Sequence, residues 1–269
     1  MKIYCYTILP YVIYGGVKFM LKLYKEKAVL HSLVWLMIYL LLNTITGSIA
    51  GSLGLEPYII SSLPNLLLSV VCLYYLKRSN IATEIGLLTK STEKSATMLF
   101  YFPLLILPFL NLMYGINKDL SPTQILAILF MYIGVGFMEE IIFRGLMFKA
   151  LTQKWNHYVV VLFISLTFAF GHAVSIVAID QSVGDTALQI INAFVVGFLF
   201  TIVVLASGNL TICVITHILY NFMADISLVG RTDVEIIIIS FMITLLYFVY
   251  LLLFGKNMKA YFKESEERK

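Results

Sequence analysis

Four polar side chains whose types suit hydrolysis by water lie inside long apolar stretches of the sequence. They are Glu139, His172, His217 and Asn221. A carboxylate and an imidazole can position a water molecule and remove its proton. An imidazole and a side-chain amide can donate hydrogen bonds to an oxyanion as it develops. Together these residue types indicate acyl hydrolysis by an activated water molecule.

The stretch EEIIFRG, residues 139–145, adds two adjacent carboxylates and an arginine to an apolar environment. Glu140 and Arg144 are four residues apart, so a helix places them on one face within reach of an ion pair. Glu139 is rotated by about 100° from Glu140, and no cation lies three or four residues away from it. We interpret Glu140 and Arg144 as a neutralising pair that fixes the helix inside the bundle, and Glu139 as the carboxylate that is left for chemistry.

The composition indicates that these residues are held by a helical membrane protein. Of the 269 residues, 60% are hydrophobic and 13% are charged, and the mean hydropathy is +0.92. A soluble domain usually has about 25% charged residues. A membrane span needs about 20 mostly apolar residues, and eight stretches meet that need: 29–50, 57–76, 97–115, 123–149, 157–179, 185–206, 209–229 and 233–254. The sequence therefore predicts an all-α bundle of about eight transmembrane helices.

The charged residues divide the chain and orient it. Lys and Arg concentrate in alternate loops, which the positive-inside rule assigns to the cytoplasm together with both termini. We predict a cytoplasmic or interfacial segment at 1–28, a transmembrane domain at 29–254 and a charged tail at 255–269. The net charge of +4 is spread over loops, so we expect contact with the lipid bilayer and no nucleic-acid partner.

The depths of the four polar residues favour a shared cavity. Measured along the predicted helices at 1.5 Å per residue, all four can lie near the middle of the membrane. Ionisable residues inside a membrane face the bundle interior or a water-filled cavity. We therefore expect Glu139, His172, His217 and Asn221 to line one intramembrane cavity that faces the cytoplasm.

Three motifs on three different predicted helices resemble a known family. In chain order they are Glu139-Glu140-xxx-Arg144-Gly145, Phe168-xxx-His172 and His217-xxx-Asn221. This set is similar to the signature of the CPBP family, which contains type II CAAX prenyl endopeptidases and the bacterial bacteriocin-processing and self-immunity proteins also called Abi. The motifs cover residues 139–221, about a third of the chain, and no motif position departs from the pattern.

The resemblance implies an intramembrane endopeptidase that acts on a membrane-associated peptide or protein. It implies that Glu139 is a general base that activates water with help from His172, and that His217 and Asn221 form the oxyanion hole. The remaining motif residues would organise this site: Glu140, Arg144 and Phe168. The substrate stays open among CAAX-type proteins, bacteriocin leader peptides and pheromone precursors.

Other functions are compatible with the same residues. One Glu and two His are ligand types of a catalytic zinc site, but they do not form a recognised zinc spacing, so we expect no cofactor and keep zinc-dependent hydrolysis as an alternative. A non-catalytic self-immunity protein or membrane scaffold that binds a peptide in the cavity is a second alternative. A proton-coupled transporter is a third, although the chain shows no repeated halves, which many transporters have.

Overall fold

The structure is a computed structural model that describes residues 3–90, 97–174, 181–228 and 233–255, with side chains from residue 15 onwards except those of 97–100. The predicted tail at 255–269 lies outside the described residues except for Gly255. The ends of two predicted spans, residues 175–179 and 229, also lie outside them.

The described residues form a bundle of α-helices. The helices are α1 (Ile3–Glu26), α2 (Ala28–Leu53), α3 (Pro57–Arg78), α4 (Ile81–Glu84), α5 (Thr97–Leu110), α6 (Pro122–Glu140), α7 (Phe148–Thr152), α8 (His157–Gly171), α9 (Val183–Ser207), α10 (Leu210–Ile226) and α11 (Val234–Phe254). The predicted class, a helical membrane bundle, is confirmed, and the count of eight spans is approximate. Six helices of the described chain are long and apolar enough to cross a membrane, and the apolar helices Tyr101–Tyr114 and Leu210–Ile226 are shorter.

Turn residues of the sequence set the ends of the helices that carry the motifs. Ser121 caps α6 through a reciprocal pair of hydrogen bonds with Gln124, and Pro122 occupies the first helical position, where its missing N–H costs nothing. The side chain of Asn156 caps α8. The connection from α9 to α10 is tight because Gly208 adopts a left-handed φ of 65° and Asn209 caps the next helix. These signals place α9 and α10 side by side as antiparallel neighbours.

Glycine allows α6 to pack closely against the helices around it. A Cβ atom built on Gly134 would lie 2.5 Å from the backbone carbon of Asn65 in α3, and one on Gly136 would lie 2.9 Å from Ile218 in α10. Small residues permit this approach of membrane helices. Because Gly134 and Gly136 lie only five and three residues before Glu139, the close contacts fix the helix beside that carboxylate.

The helix that begins at Pro122 continues to Thr152, but its hydrogen-bonding pattern changes at the motif. Residues Ile141–Met147 form a π-helical turn between α6 and α7. All seven residues of this turn are buried, and π turns inside α-helices are frequent at functional sites. The turn holds Arg144 and follows Glu140 directly, so the charged motif lies where the helix is irregular.

Candidate active site

Arg144 and Glu140 form a fully buried ion pair, as their spacing predicts. Arg144 Nη1 lies 3.0 Å from Glu140 Oε1, and neither side chain is exposed. The two other nitrogens of the guanidinium reach α9: Nη2 donates to the carbonyl oxygen of Gly197 at 3.1 Å, and Nε donates to Thr201 Oγ1 at 3.3 Å. A buried charge is tolerated only when it is paired and hydrogen-bonded, and Arg144 meets both conditions.

Phe168 forms a second support for the guanidinium. The carbon at the centre of the Arg144 guanidinium lies 4.0 Å from the centroid of the Phe168 ring, which is a favourable cation–π distance. Gly197 makes this arrangement possible, because a Cβ atom there would lie 2.7 Å from Arg144 Nη2 and 2.9 Å from Phe168 Cδ1. The glycine on α9 is therefore part of the site, although it belongs to none of the three motifs.

His217 lies between the two glutamates and connects them. Its Nδ1 is 2.7 Å from Glu140 Oε1, and its Nε2 is 3.5 Å from Glu139 Oε2. An ionised carboxylate only accepts hydrogen bonds, so Nδ1 carries the hydrogen that it shares with Glu140. This bond fixes the plane of the ring and directs Nε2 to the space beside Glu139.

Glu139 is the carboxylate that borders the open part of the site. Tyr39 on α2 donates a hydrogen bond of 2.6 Å from its hydroxyl to Glu139 Oε1. Among the described residues, the buried Oε2 atom of Glu139 has no hydrogen-bond partner. No cation lies three or four residues from Glu139 on its own helix, and His217 approaches it from α10. The predicted Glu140–Arg144 pair is present, and His217 contacts both glutamates, which helical spacing alone did not indicate.

His172 and Asn221 complete the set of polar residues. His172 is the first residue of a short 3₁₀ turn after α8. Its ring meets the Phe168 ring edge-on, with the ring centroids 5.3 Å apart, and its Nδ1 lies 3.3 Å from Gln189 Nε2. Asn221 lies one turn after His217 on α10. Both residues line a cavity of about 30 Å³ that His217 also borders. A cavity of this size has room for about one water molecule.

A much larger cleft leads to Glu139 and His172 from the side. It has a volume of about 580 Å³ and lies between α2 and α8, with α6, the π turn and α7 as its floor. Its lining is apolar apart from a few residues: Tyr39, Glu139, Lys154, Thr167 and His172. The inner end holds the candidate catalytic groups, and Lys154 with Trp155 lies at the other end. A long apolar segment of a substrate can therefore reach the carboxylate.

The arrangement of the polar groups does not resemble a metal site. In the part of the chain that the structure describes, no three His, Cys, Asp or Glu side chains are grouped so that they could hold a metal ion. Because Glu140 contacts Nδ1 of His217, only Nε2 of that ring faces Glu139. Zinc-dependent hydrolysis stays an alternative that an experiment must test.

The residues that hold this site match a known family. Residues 121–223 match the family described as Rce1-like: type II CAAX prenyl endopeptidase Rce1-like. The matched segment begins at the N-cap of α6 and contains all eight motif residues. Searches of the curated proteins and of the solved structures found no match. This match confirms the predicted resemblance to the CPBP family, and the chain is a multi-pass integral membrane protein whose residues 121–223 are similar to the Rce1-like, type II CAAX prenyl endopeptidases.

Proposed function

We propose that the protein is an intramembrane endopeptidase that hydrolyses a peptide bond of a membrane-associated peptide or protein with a water molecule activated by Glu139 and His172. The family match supports CAAX protease activity within the membrane. The observation that carries the proposal is the position of Glu139. Its Oε1 is held by Tyr39, while its Oε2, which accepts no hydrogen bond from the described residues, lies 3.5 Å from His217 Nε2 at the inner end of an apolar cleft.

The reaction that these groups support needs no covalent intermediate. Glu139 takes a proton from water, and the water oxygen bonds to the carbonyl carbon of the scissile peptide. The carbonyl oxygen becomes an oxyanion that accepts hydrogen bonds from His217 and Asn221. When the carbon–nitrogen bond breaks, Glu139 returns its proton to the leaving amine. His172, which lines both the cleft and the small cavity, positions the water.

The buried charges prepare His217 for this role. Glu140 accepts a hydrogen bond from Nδ1 of His217 and one from Nη1 of Arg144. The ring therefore does not have to reorient when charge develops at the oxyanion, and such preorganisation is usually the largest part of catalysis. Phe168 and Gly197 keep the arginine, and hence Glu140, in place. We assign these residues a supporting role.

The cleft restricts the class of substrate without identifying it. Its apolar lining suits a lipid-modified or strongly hydrophobic peptide, which includes CAAX-type proteins, bacteriocin leader peptides and pheromone precursors. The end of the cleft that carries Lys154 lies on the side with the basic loops. We propose that this side is the cytoplasmic one and that substrates enter there or from the lipid.

The experiment that tests the proposal is a cleavage assay in lipid nanodiscs with a fluorogenic peptide that carries a lipid group. Glu139→Gln and His172→Ala are expected to abolish cleavage. Removing one oxyanion donor usually costs about 10²–10³-fold in rate, and we expect that loss for His217→Ala and for Asn221→Ala. Asp225→Asn is a matched control. Asp225 lies on α10, and its carboxylate, like that of Glu139, accepts a hydrogen bond from a tyrosine. Cleavage by the Glu139→Gln protein at the wild-type rate would exclude the mechanism.

The same preparation separates the alternatives. A zinc-dependent enzyme loses activity with a chelator and regains it with added Zn²⁺, whereas we expect full activity in the chelator throughout. A self-immunity protein or scaffold binds the peptide without releasing a product. Mass spectrometry of membrane peptides from cells with the wild-type or the Glu139→Gln protein shows whether a product exists and what the substrate is.

A further inference from the structure

Tyr39 contacts the proposed base from a part of the chain that the family match does not cover. It lies on α2, 82 residues before the first matched residue, and only 7% of its surface is exposed. Its hydroxyl donates the 2.6 Å hydrogen bond to Glu139 Oε1, and both residues line the apolar cleft. Through Tyr39, helix α2 thus contributes to the site.

The surroundings of Glu139 give this bond a specific effect. Arg144 is directed away from Glu139 to Glu140 and α9, and His217 approaches only the Oε2 side. Among the described residues, Tyr39 is therefore the group that holds Oε1. A hydrogen bond to an ionised carboxylate is short and about twice as strong as a neutral one, and fixing one oxygen fixes the plane of the carboxylate. The other oxygen then stays turned to the space beside His217.

A chain of contacts anchors Tyr39 to the helix that carries Glu139. The backbone carbonyl of Tyr39 accepts a hydrogen bond of 2.9 Å from the side chain of Asn43. The amides of Asn43 and Asn65 bond to each other at 3.0 and 3.3 Å. Asn65 in turn packs against Gly134, five residues before Glu139. The contacts join α2, α3 and α6 next to the hydroxyl and the carboxylate.

We infer that Tyr39 is a positioning residue for the proposed hydrolysis: its hydroxyl holds one oxygen of Glu139 so that the other can take the proton from water. The inference rests on the proposed function for its kinetic consequence. The contact itself can be tested without any cleavage.

The kinetic test compares Tyr39→Phe with Tyr132→Phe in the nanodisc assay. Tyr132 on α6 is a matched control. Its hydroxyl also donates to a carboxylate, that of Asp225, and its side chain does not line the cleft. Loss of a hydrogen bond to a charged group corresponds to about 10–100-fold in rate. We expect kcat of the Tyr39→Phe protein to fall by that factor with KM unchanged, and kcat of the control to stay at the wild-type value. An unchanged kcat in Tyr39→Phe, or a change in KM alone, overturns the inference.

The spectroscopic test observes the carboxylate directly. The infrared difference spectrum between a protein and its Glu139→Gln variant isolates the carboxylate stretching bands of Glu139. We expect these bands to shift when Tyr39→Phe is introduced and to stay in place with Tyr132→Phe. Unshifted bands overturn the inference even if the protein cleaves no peptide. If Tyr39→Phe does not fold, fluorotyrosine at residue 39 keeps the shape of the side chain and alters the strength of its hydroxyl as a donor. The change in kcat and the shift of the carboxylate bands are then measured on that protein.

Discussion

Gly197→Ala is the substitution whose effect follows most directly from the geometry of the site. Gly197 has no side chain, and its surroundings use that space: the new Cβ would lie 2.7 Å from Arg144 Nη2 and 2.9 Å from Phe168 Cδ1. Ordinary van der Waals contact begins at 3.4 Å. The arginine must therefore move by about 0.7 Å and the ring by about 0.5 Å, or α9 must withdraw by a similar amount.

Neither movement is easy, because Arg144 is held from several sides. A shift alters its hydrogen bonds to Gly197, Thr201 and Glu140. Hydrogen bonds to charged groups contribute about 1.5–3 kcal/mol each, and loss of one or two of them gives a destabilisation of about 2–4 kcal/mol. Proteins are usually stable by only about 5–15 kcal/mol, so the effect on unfolding is large. Displacement of Glu140 also releases His217, and we expect cleavage to fall by about 100-fold or more because the oxyanion donor loses its orientation.

The assay measures thermal unfolding and cleavage of Gly197→Ala in nanodiscs beside Gly51→Ala. Gly51 lies inside α2, and a Cβ atom there meets nothing within 4 Å. Alanine in a helix is more stable than glycine by about 0.5–1 kcal/mol, so the control is expected to unfold at the same or a slightly higher temperature and to keep its activity. A Gly197→Ala protein with unchanged stability and activity would show that the reasoning about the packing of Arg144 and Phe168 is wrong.

Three further substitutions test separate parts of the site. Glu140→Gln leaves Arg144 buried without its ion-pair partner, and chemical denaturation should show a loss of about 3–5 kcal/mol; wild-type stability contradicts a structural ion pair. Gln189→Leu removes the amide beside His172 Nδ1, and we expect kcat to fall by about tenfold with the unfolding temperature unchanged, as for loss of one hydrogen bond; an unchanged kcat removes Gln189 from the site. Trp155→Ala widens the outer end of the cleft, so KM for a lipid-modified peptide should rise at constant kcat, and an equal effect on a peptide without the lipid would refute this.

The helical fold could be predicted from the sequence because the hydrocarbon core of a membrane strongly restricts the backbone. Backbone groups inside a membrane must bond within their own segment, so long apolar runs form helices. The prediction for 57–76 corresponds to Pro57–Arg78, and that for 233–254 corresponds to Val234–Phe254. Length alone describes α5 less well, since this helix contains two prolines and ends in a 3₁₀ turn at Asn111–Tyr114. The helix Ile3–Glu26 was not predicted, because the irregular apolar pattern of this segment gives too weak a signal for a helix.

The site could be predicted in its residues but only partly in its connections. Helical spacing was sufficient for the bond between Glu140 and Arg144, since both lie on one helix. The contacts of Tyr39 and Gly197 depend on how α2 and α9 pack against α6, and the sequence carries no local signal for that packing. The π turn likewise follows from tertiary context, because residues 141–147 are ordinary helix formers apart from Gly145.

The position of His217 explains how two adjacent glutamates can be buried in this bundle. Two carboxylates in a medium of low dielectric need compensating charge or strong hydrogen bonds. Arg144 carries one full positive charge and forms its ion pair with Glu140. Glu139 receives the hydroxyl of Tyr39 and faces Nε2 of the ring that Glu140 fixes. Among the described residues, His217 contacts both carboxylates, so the base and the oxyanion donor of the proposed reaction belong to one coupled unit.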